Sequence, residues 1–268
     1  RYPLVTGVQT CALPIFRLIK KLWVDAGFFR THIGLESIQP RENMAISLAT
    51  TTYFEPYFLS GVKLTWQHSD KLAIQLNAFN SFNQFLETNK NKAVGFSVAY
   101  VPDTKSALTF SSIFCDESPL GATVHKNRLY SNLCYTYKSK RFVFGFEANY
   151  GIQQHTGLNS STKTAFMYSQ LMALKYRFTP KFAVYSREEL FSDPNEILTG
   201  PVVNANHNLV GLELMGGTIG MEFKPIPNSY FRVESRYIQT HRSESIFYYD
   251  GAYRNSRLEF IAALGLWF

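Results

Sequence analysis

The sequence predicts an all-β fold, an antiparallel up-and-down transmembrane β-barrel, and three observations carry that expectation. Apolar and polar side chains alternate along one segment after another. The connections between those segments alternate short and long. The final stretch, RLEFIAALGLWF (257–268), puts Phe260, Ala262, Leu264, Leu266 and Phe268 on one side of an extended chain. Strict alternation marks a strand with one apolar face. In a transmembrane barrel, lipid-facing positions alternate with lumen-facing ones.

Composition agrees. The 268 residues are 46% hydrophobic, 16% aromatic and 18% charged, enough for one large β domain or two ordinary ones. Tyr and Phe dominate the aromatics, which favours strands. No window approaches the run of about 18 apolar residues that a transmembrane helix needs, so a helical membrane protein is excluded. Barrel strands hide their hydrophobicity in alternation, so a barrel is not.

Residues 5–15, VTGVQTCALPI, resemble the conceptual translation of a DNA-sequencing library adapter. Residues 1–15 are therefore treated as a non-native scar, leaving 16–268 as one barrel domain. On this reading the natural start, with its signal peptide and further strands, lies upstream, and the full barrel has about 14–16 strands. Without the scar, 26 basic residues stand against 20 acidic ones, too small and dispersed an excess to argue for nucleic acid. Cys115 and Cys134 remain as the cysteines. They lack the spacing of a zinc site or disulfide framework, and each is read as a small strand residue, although an oxidising compartment would permit pairing.

Taken in order, LWVDAGFF (22–29) is the first clear strand. A long segment, 30–56, follows, and ENMAISLATTTY within it has room for a short helix. Residues 60–68 put Val62, Leu64 and Trp66 opposite Lys63, Thr65 and Gln67. The turn Ser69-Asp70 leads into 71–82, where Leu72, Ile74, Leu76 and Ala78 oppose Gln75 and Asn77. The same hairpin pattern recurs around PDTK (102–105), KSK (138–140), TPK (179–181) and PIPN (225–228), where Pro and Asp supply turn chemistry. Between these hairpins lie polar connections at 83–91, 116–127, 153–164, 193–208 and 242–255. Transmembrane barrels carry short periplasmic turns and longer extracellular loops. A soluble sandwich has no reason to sort loop length by parity. About 12 strands result, each of about 10–12 residues, which at a tilt near 40° cover a band about 25 Å tall. Tyr100, Tyr137, Tyr150, Tyr176 and Trp267 fall near strand ends, at headgroup level.

With apolar faces outward, the opposite faces line a lumen. There the pattern puts Lys63, Gln75, Asn77, Glu147, Asn149, Lys175, Arg177, Arg187, Glu189, Glu222, Arg232, Glu234 and Arg236. A basic ladder of this kind favours anions, or the same side chains pair with one another and brace the wall. The 30–56 segment either folds into the mouth as a constriction, with Glu36, Arg41 and Glu42 as charged rim groups, or packs outside. Enzyme readings find little support. His125, His155, Ser160 and Ser161 fall in loops without HExxH, GxSxG or paired-carboxylate spacing. His32, His68, His207 and His241 lack ligand spacing for a metal, and GGTIG (216–220) is wrongly placed for a phosphate loop. No catalytic residue, metal or cofactor is expected.

Three stretches resemble the OmpL-like outer-membrane β-barrel porins: WVDAGFFRTHIGLESIQPRENM (23–44), the long run from YFLSGVKLTWQHSD to VPDTK (57–105), and GTIGMEFKPIPNSYFRVESRY (217–237). The closing Phe268 resembles the signal that barrel-insertion machinery recognises. The resemblance covers most of 22–268 and implies a passive channel for small hydrophilic solutes in the outer membrane of a Bacteroidetes-like organism. Its expected partners are the bilayer, the insertion machinery and the solute, with no nucleic acid and with oligomerisation left open. The competing readings are a non-conducting barrel anchoring loops for adhesion or docking, and a soluble β-sandwich.

Overall fold

The computed structural model describes residues 15–82, 91–158, 162–241 and 244–268. Apart from Ile15, the adapter-like stretch lies outside the described residues, as do Ser160 and Ser161.

Thirteen strands of the described residues form one antiparallel sheet. In chain order the elements begin with β1 (Ile15–Ile19), β2 (Leu22–Arg30), α1 (Thr50–Phe54), β3 (Phe58–Gln67), β4 (Leu72–Phe79) and β5 (Ala93–Tyr100). Next come β6 (Ser106–Asp116), β7 (Asn127–Lys138), β8 (Phe142–Gln153), β9 (Ala165–Arg177) and β10 (Phe182–Asp193). Two small hairpins, β11 (Val202–Val203) with β12 (Leu209–Val210) and β15 (Phe247–Tyr249) with β16 (Ala252–Arg254), sit in long connections. The sheet is completed by β13 (Leu212–Phe223), β14 (Ser229–Thr240) and β17 (Ser256–Leu266). Every sheet strand pairs with its neighbour in sequence, and the two edges are β1 and β17. Ile15–Ile19 pairs ahead of the first clear strand at 22–29, so the wall of the described residues has 13 strands, in line with the expected 12 or so.

Four of the short turns share a local device. A side-chain oxygen at position i accepts the backbone N–H three residues on: Ser69 from Leu72 (3.1 Å), Asp103 from Ser106 (2.8 Å), Ser139 from Phe142 (3.0 Å) and Thr179 from Phe182 (3.0 Å). This closes the turn without tertiary help. At Asp103 the amides of Lys105 and Ser106 hold the carboxyl below its usual range.

Side chains alternate across the wall. Phe96, Phe110, Phe166, Leu174, Met221, Phe231 and Phe260 project from the outer face and are exposed. Their sequence neighbours are largely buried on the inner face. The inner face is curved: Thr50 bonds Glu189 on β10 and lies against Arg236 on β14, while Glu55 bonds Tyr130 on β7. From β7 to β14 the sheet order counts five interstrand steps, about 24 Å if flat. One helical turn spans far less, so the wall wraps around α1.

Cys115 pairs in register with Arg128, whereas Cys134 pairs with Thr109. Six residues of strand, about 20 Å, separate them along the ladder, beyond the reach of a disulfide. Both are buried free thiols.

Candidate functional site

The interior is built from the inward side chains of β2 to β14 and from segment 31–57, which runs along the concave face. Each strand supplies every second residue. The segment supplies backbone groups with no sheet partner, and buried backbone N–H groups must find acceptors.

Those acceptors are wall carboxylates. Glu234 accepts from the N–H groups of Ile46 (2.7 Å) and Ser47 (2.9 Å) and from the Tyr185 hydroxyl (3.0 Å). Glu189 accepts from Thr50 N–H at 2.6 Å, and Glu147 from Leu35 N–H at 2.8 Å. In the other direction Arg232 donates to the Pro40 carbonyl at 2.9 Å, and Arg187 donates to the Ser47 carbonyl and, at 3.0 Å, to Ser47 Oγ. Gly34, at φ +93°, passes so close to Glu55 that a Cβ there would lie 2.8 Å from Oε2. Only glycine fits that backbone and that approach.

Five of the six basic residues expected inside are ion-paired. Arg187 meets Glu36 at 3.0 Å and Glu189 at 3.6 Å; Arg236 meets Glu189 at 2.7 Å. Glu222 holds both Lys175 (2.6 Å) and Arg232 (2.7 Å), and Lys63 meets Asp25 at 2.6 Å. Gln75 donates to Asn77, which contacts His32 of the segment. Asn149 links Glu147, Thr51 and Ser169. Buried charges persist only when compensated in this way.

Three expected positions lie at the margin of this network. Arg177, at the end of β9, donates to the Ser139 and Lys140 carbonyls at the short-turn rim, because the strand ends there. Arg41 and Glu42 are exposed: Arg41 bonds Gln39 and Glu42 meets Arg30 at 3.5 Å. Of the three charged groups expected on the segment, Glu36 alone is buried among wall residues. Phe268 is fully exposed beyond the end of β17.

Several interior residues escaped the sequence reading: Asp25, Glu55, Tyr130, Asn132, Ser169 and Tyr185. Tyr185 had a legible signal, since it shares parity with Arg187 and Glu189. Glu55 had none, because its place depends on how the segment folds. Among the described residues no cluster of His, Cys, Asp and Glu is arranged to hold a metal.

An antiparallel wall with an apolar exterior, a charged interior and loop lengths sorted by end defines an outer-membrane β-barrel. The chain belongs to the OmpL-like β-barrel porin-2 family, whose profile matches residues 15–268. It is an outer-membrane β-barrel protein of the porin class. Solved structures share the fold at low identity. OmpT of Vibrio cholerae superposes with a TM-score of 0.58 at 10% identity, over 92% of this chain and 76% of that one. The anion-selective porin of Comamonas acidovorans gives 0.57 at 8% identity, over 78% of this chain, which spans 60% of that porin's length. OccK5 (OpdH) of Pseudomonas aeruginosa gives 0.51 at 11% identity, over 92% of this chain and 74% of that one. No curated protein matches the chain in sequence.

Proposed function

We propose that the protein is a passive diffusion channel for small hydrophilic solutes, with segment 31–57 as its constriction. A polar interior lowers the barrier that hydrocarbon sets against such solutes. The observation that carries this reading is the segment itself, bonded along the inner face to Glu147, Glu189 and Glu234. Narrowing a pore with an inward loop leaves the strands continuous and sets the limiting width with few residues.

An anion preference is supported by the excess of basic over acidic residues outside the adapter-like stretch, 26 against 20, and by the inward Lys175, Arg187, Arg232 and Arg236. Against a strong one stands the balance of Glu36, Glu189, Glu222 and Glu234 in the same interior. We infer a mild preference, with the ladder chiefly bracing the wall. Phe268 is read as the barrel-insertion signal.

The test is planar-bilayer recording of the natural full-length protein. Stable current steps proportional to salt concentration are expected, as is a larger step after shortening the segment between residues 37 and 48. Reversal potentials in a salt gradient read the ion preference. A second reading, a non-conducting barrel presenting loops for adhesion or docking, is favoured by the close packing of the segment against the wall. Absence of current from folded protein would overturn the channel and leave this reading.

A further inference from the structure

The outer face holds an anomaly that neither the channel nor its constriction uses. At mid-strand outward positions the described residues are apolar, small or uncharged, with one exception, Glu188 on β10. It lies six residues beyond Phe182 at the short-turn end. That lifts it about 15 Å, close to the middle of a band about 25 Å tall. Its hydrogen-bond row across the sheet reads Met172, Glu188, Gly217, Tyr237, Leu258. Glu188 is exposed and makes no hydrogen bond or ion pair with another described residue.

A carboxylate has no partner in acyl chains, which offer neither donors nor water. Donors do exist on the same patch. Gln170 and Gln239 line, with Glu188, a hollow of about 410 Å³ that Leu190, Met215 and Gly217 also border, while the Tyr237 hydroxyl there donates to Gln239 Oε1 at 3.4 Å. The patch therefore carries both halves of a hydrogen-bonded pairing, acceptor and donors, side by side. Two copies related by a two-fold axis along the membrane normal would bring each acceptor to the other's donors. They also match in depth, because identical barrels sit at the same height. A different membrane protein would need donors at that depth by coincidence.

We propose that the outer face of β9, β10, β13 and β14 is a seam at which a second copy of this chain packs within the membrane, Glu188 of each copy accepting hydrogen bonds from the Gln170 and Gln239 side-chain amides of the other. Gly217 leaves the middle of the seam free of side chain, which lets the two walls approach.

Cysteine cross-linking of the natural full-length protein in intact outer membranes tests this. Gly217→Cys is the reporter, because a Cβ there meets nothing within 4 Å and the native thiols are buried. Mild oxidation is expected to give a disulfide-linked dimer of twice the chain mass. Phe96→Cys, on the outer face of β5 away from the seam, is expected to stay monomeric. Adding Glu188→Leu to the reporter should lower the dimer yield about tenfold or more, the loss expected for a hydrogen bond to a charged group. Glu188→Gln should keep most of it. Heat-modifiable gel mobility confirms that each variant is folded. The proposal is overturned by a folded reporter that stays monomeric, by equal cross-linking through Phe96→Cys, by a product with a different protein, or by indifference to Glu188→Leu.

Discussion

Replacing Glu234 by alanine tests how the inward segment is held. The side chain accepts three hydrogen bonds, from Ile46 N–H, Ser47 N–H and the Tyr185 hydroxyl. It is buried, and no ion pair of it is present among the described residues. Alanine leaves two backbone donors and one hydroxyl without an acceptor. At about 1 kcal/mol for each unsatisfied buried group, the low end of the range, the attachment weakens by about 3 kcal/mol. That raises the detached population by about 100-fold. The strands keep their ladder, so heat-modifiable mobility should be unchanged while current noise and mean conductance increase. Limited trypsin digestion gives a second readout, because Arg41 lies exposed on the segment. Cleavage after Arg41 should accelerate by the same factor. If conductance, noise and cleavage all match the wild type, the segment is not held by Glu234 and the account of the interior fails.

Arg187→Met leaves the Glu36 carboxylate buried without its cation, while Glu189 keeps Arg236. Breaking one side of a buried pair costs about 3–5 kcal/mol, measurable as a lower urea midpoint in detergent. Asp103 has a depressed carboxyl pKa through its turn hydrogen bonds. Its contribution is therefore present above the unfolded carboxylate value and lost as pH falls through the folded one. The stability gap between wild type and Asp103→Ala should narrow as pH drops from neutral to about 3. Non-reducing gels of folded protein should show no intramolecular disulfide, and Cys115 and Cys134 should react with maleimide only after unfolding. Protection lost by both thiols without unfolding would contradict their burial.

Much of the wall was legible because it rests on local rules. Side chains alternate along a strand, so the parity of Arg232, Glu234 and Arg236 separates them from Phe231, Val233 and Tyr237 without tertiary information. Turns closed by their own Ser, Thr or Asp are visible in the same way. The first strand is hidden in the sequence because it begins at Ile15, the last residue of the adapter-like stretch. The interior partners were less legible. Which carboxylate meets which arginine depends on the curvature of the sheet and on the path of 31–57, neither of which alternation encodes. Arg177 shows the limit of parity: it has inward parity, but β9 ends at that residue and its guanidinium turns to the rim. Glu188 stands between Arg187 and Glu189, so the charged triplet reads as one polar cluster until the strand divides it between two faces.

The bonds between the segment and the wall also bear on assembly. Ile46 and Glu234 are 188 residues apart in sequence, and Leu35 and Glu147 are 112 apart. Ring closures this long are entropically costly and form late. The donor side is synthesised early and must wait, unsatisfied, until β14 arrives almost at the end of the chain. A newly exported polypeptide therefore gains these bonds only as its last hairpins join the sheet, which makes the seating of the segment a product of completing the wall and not a template for it.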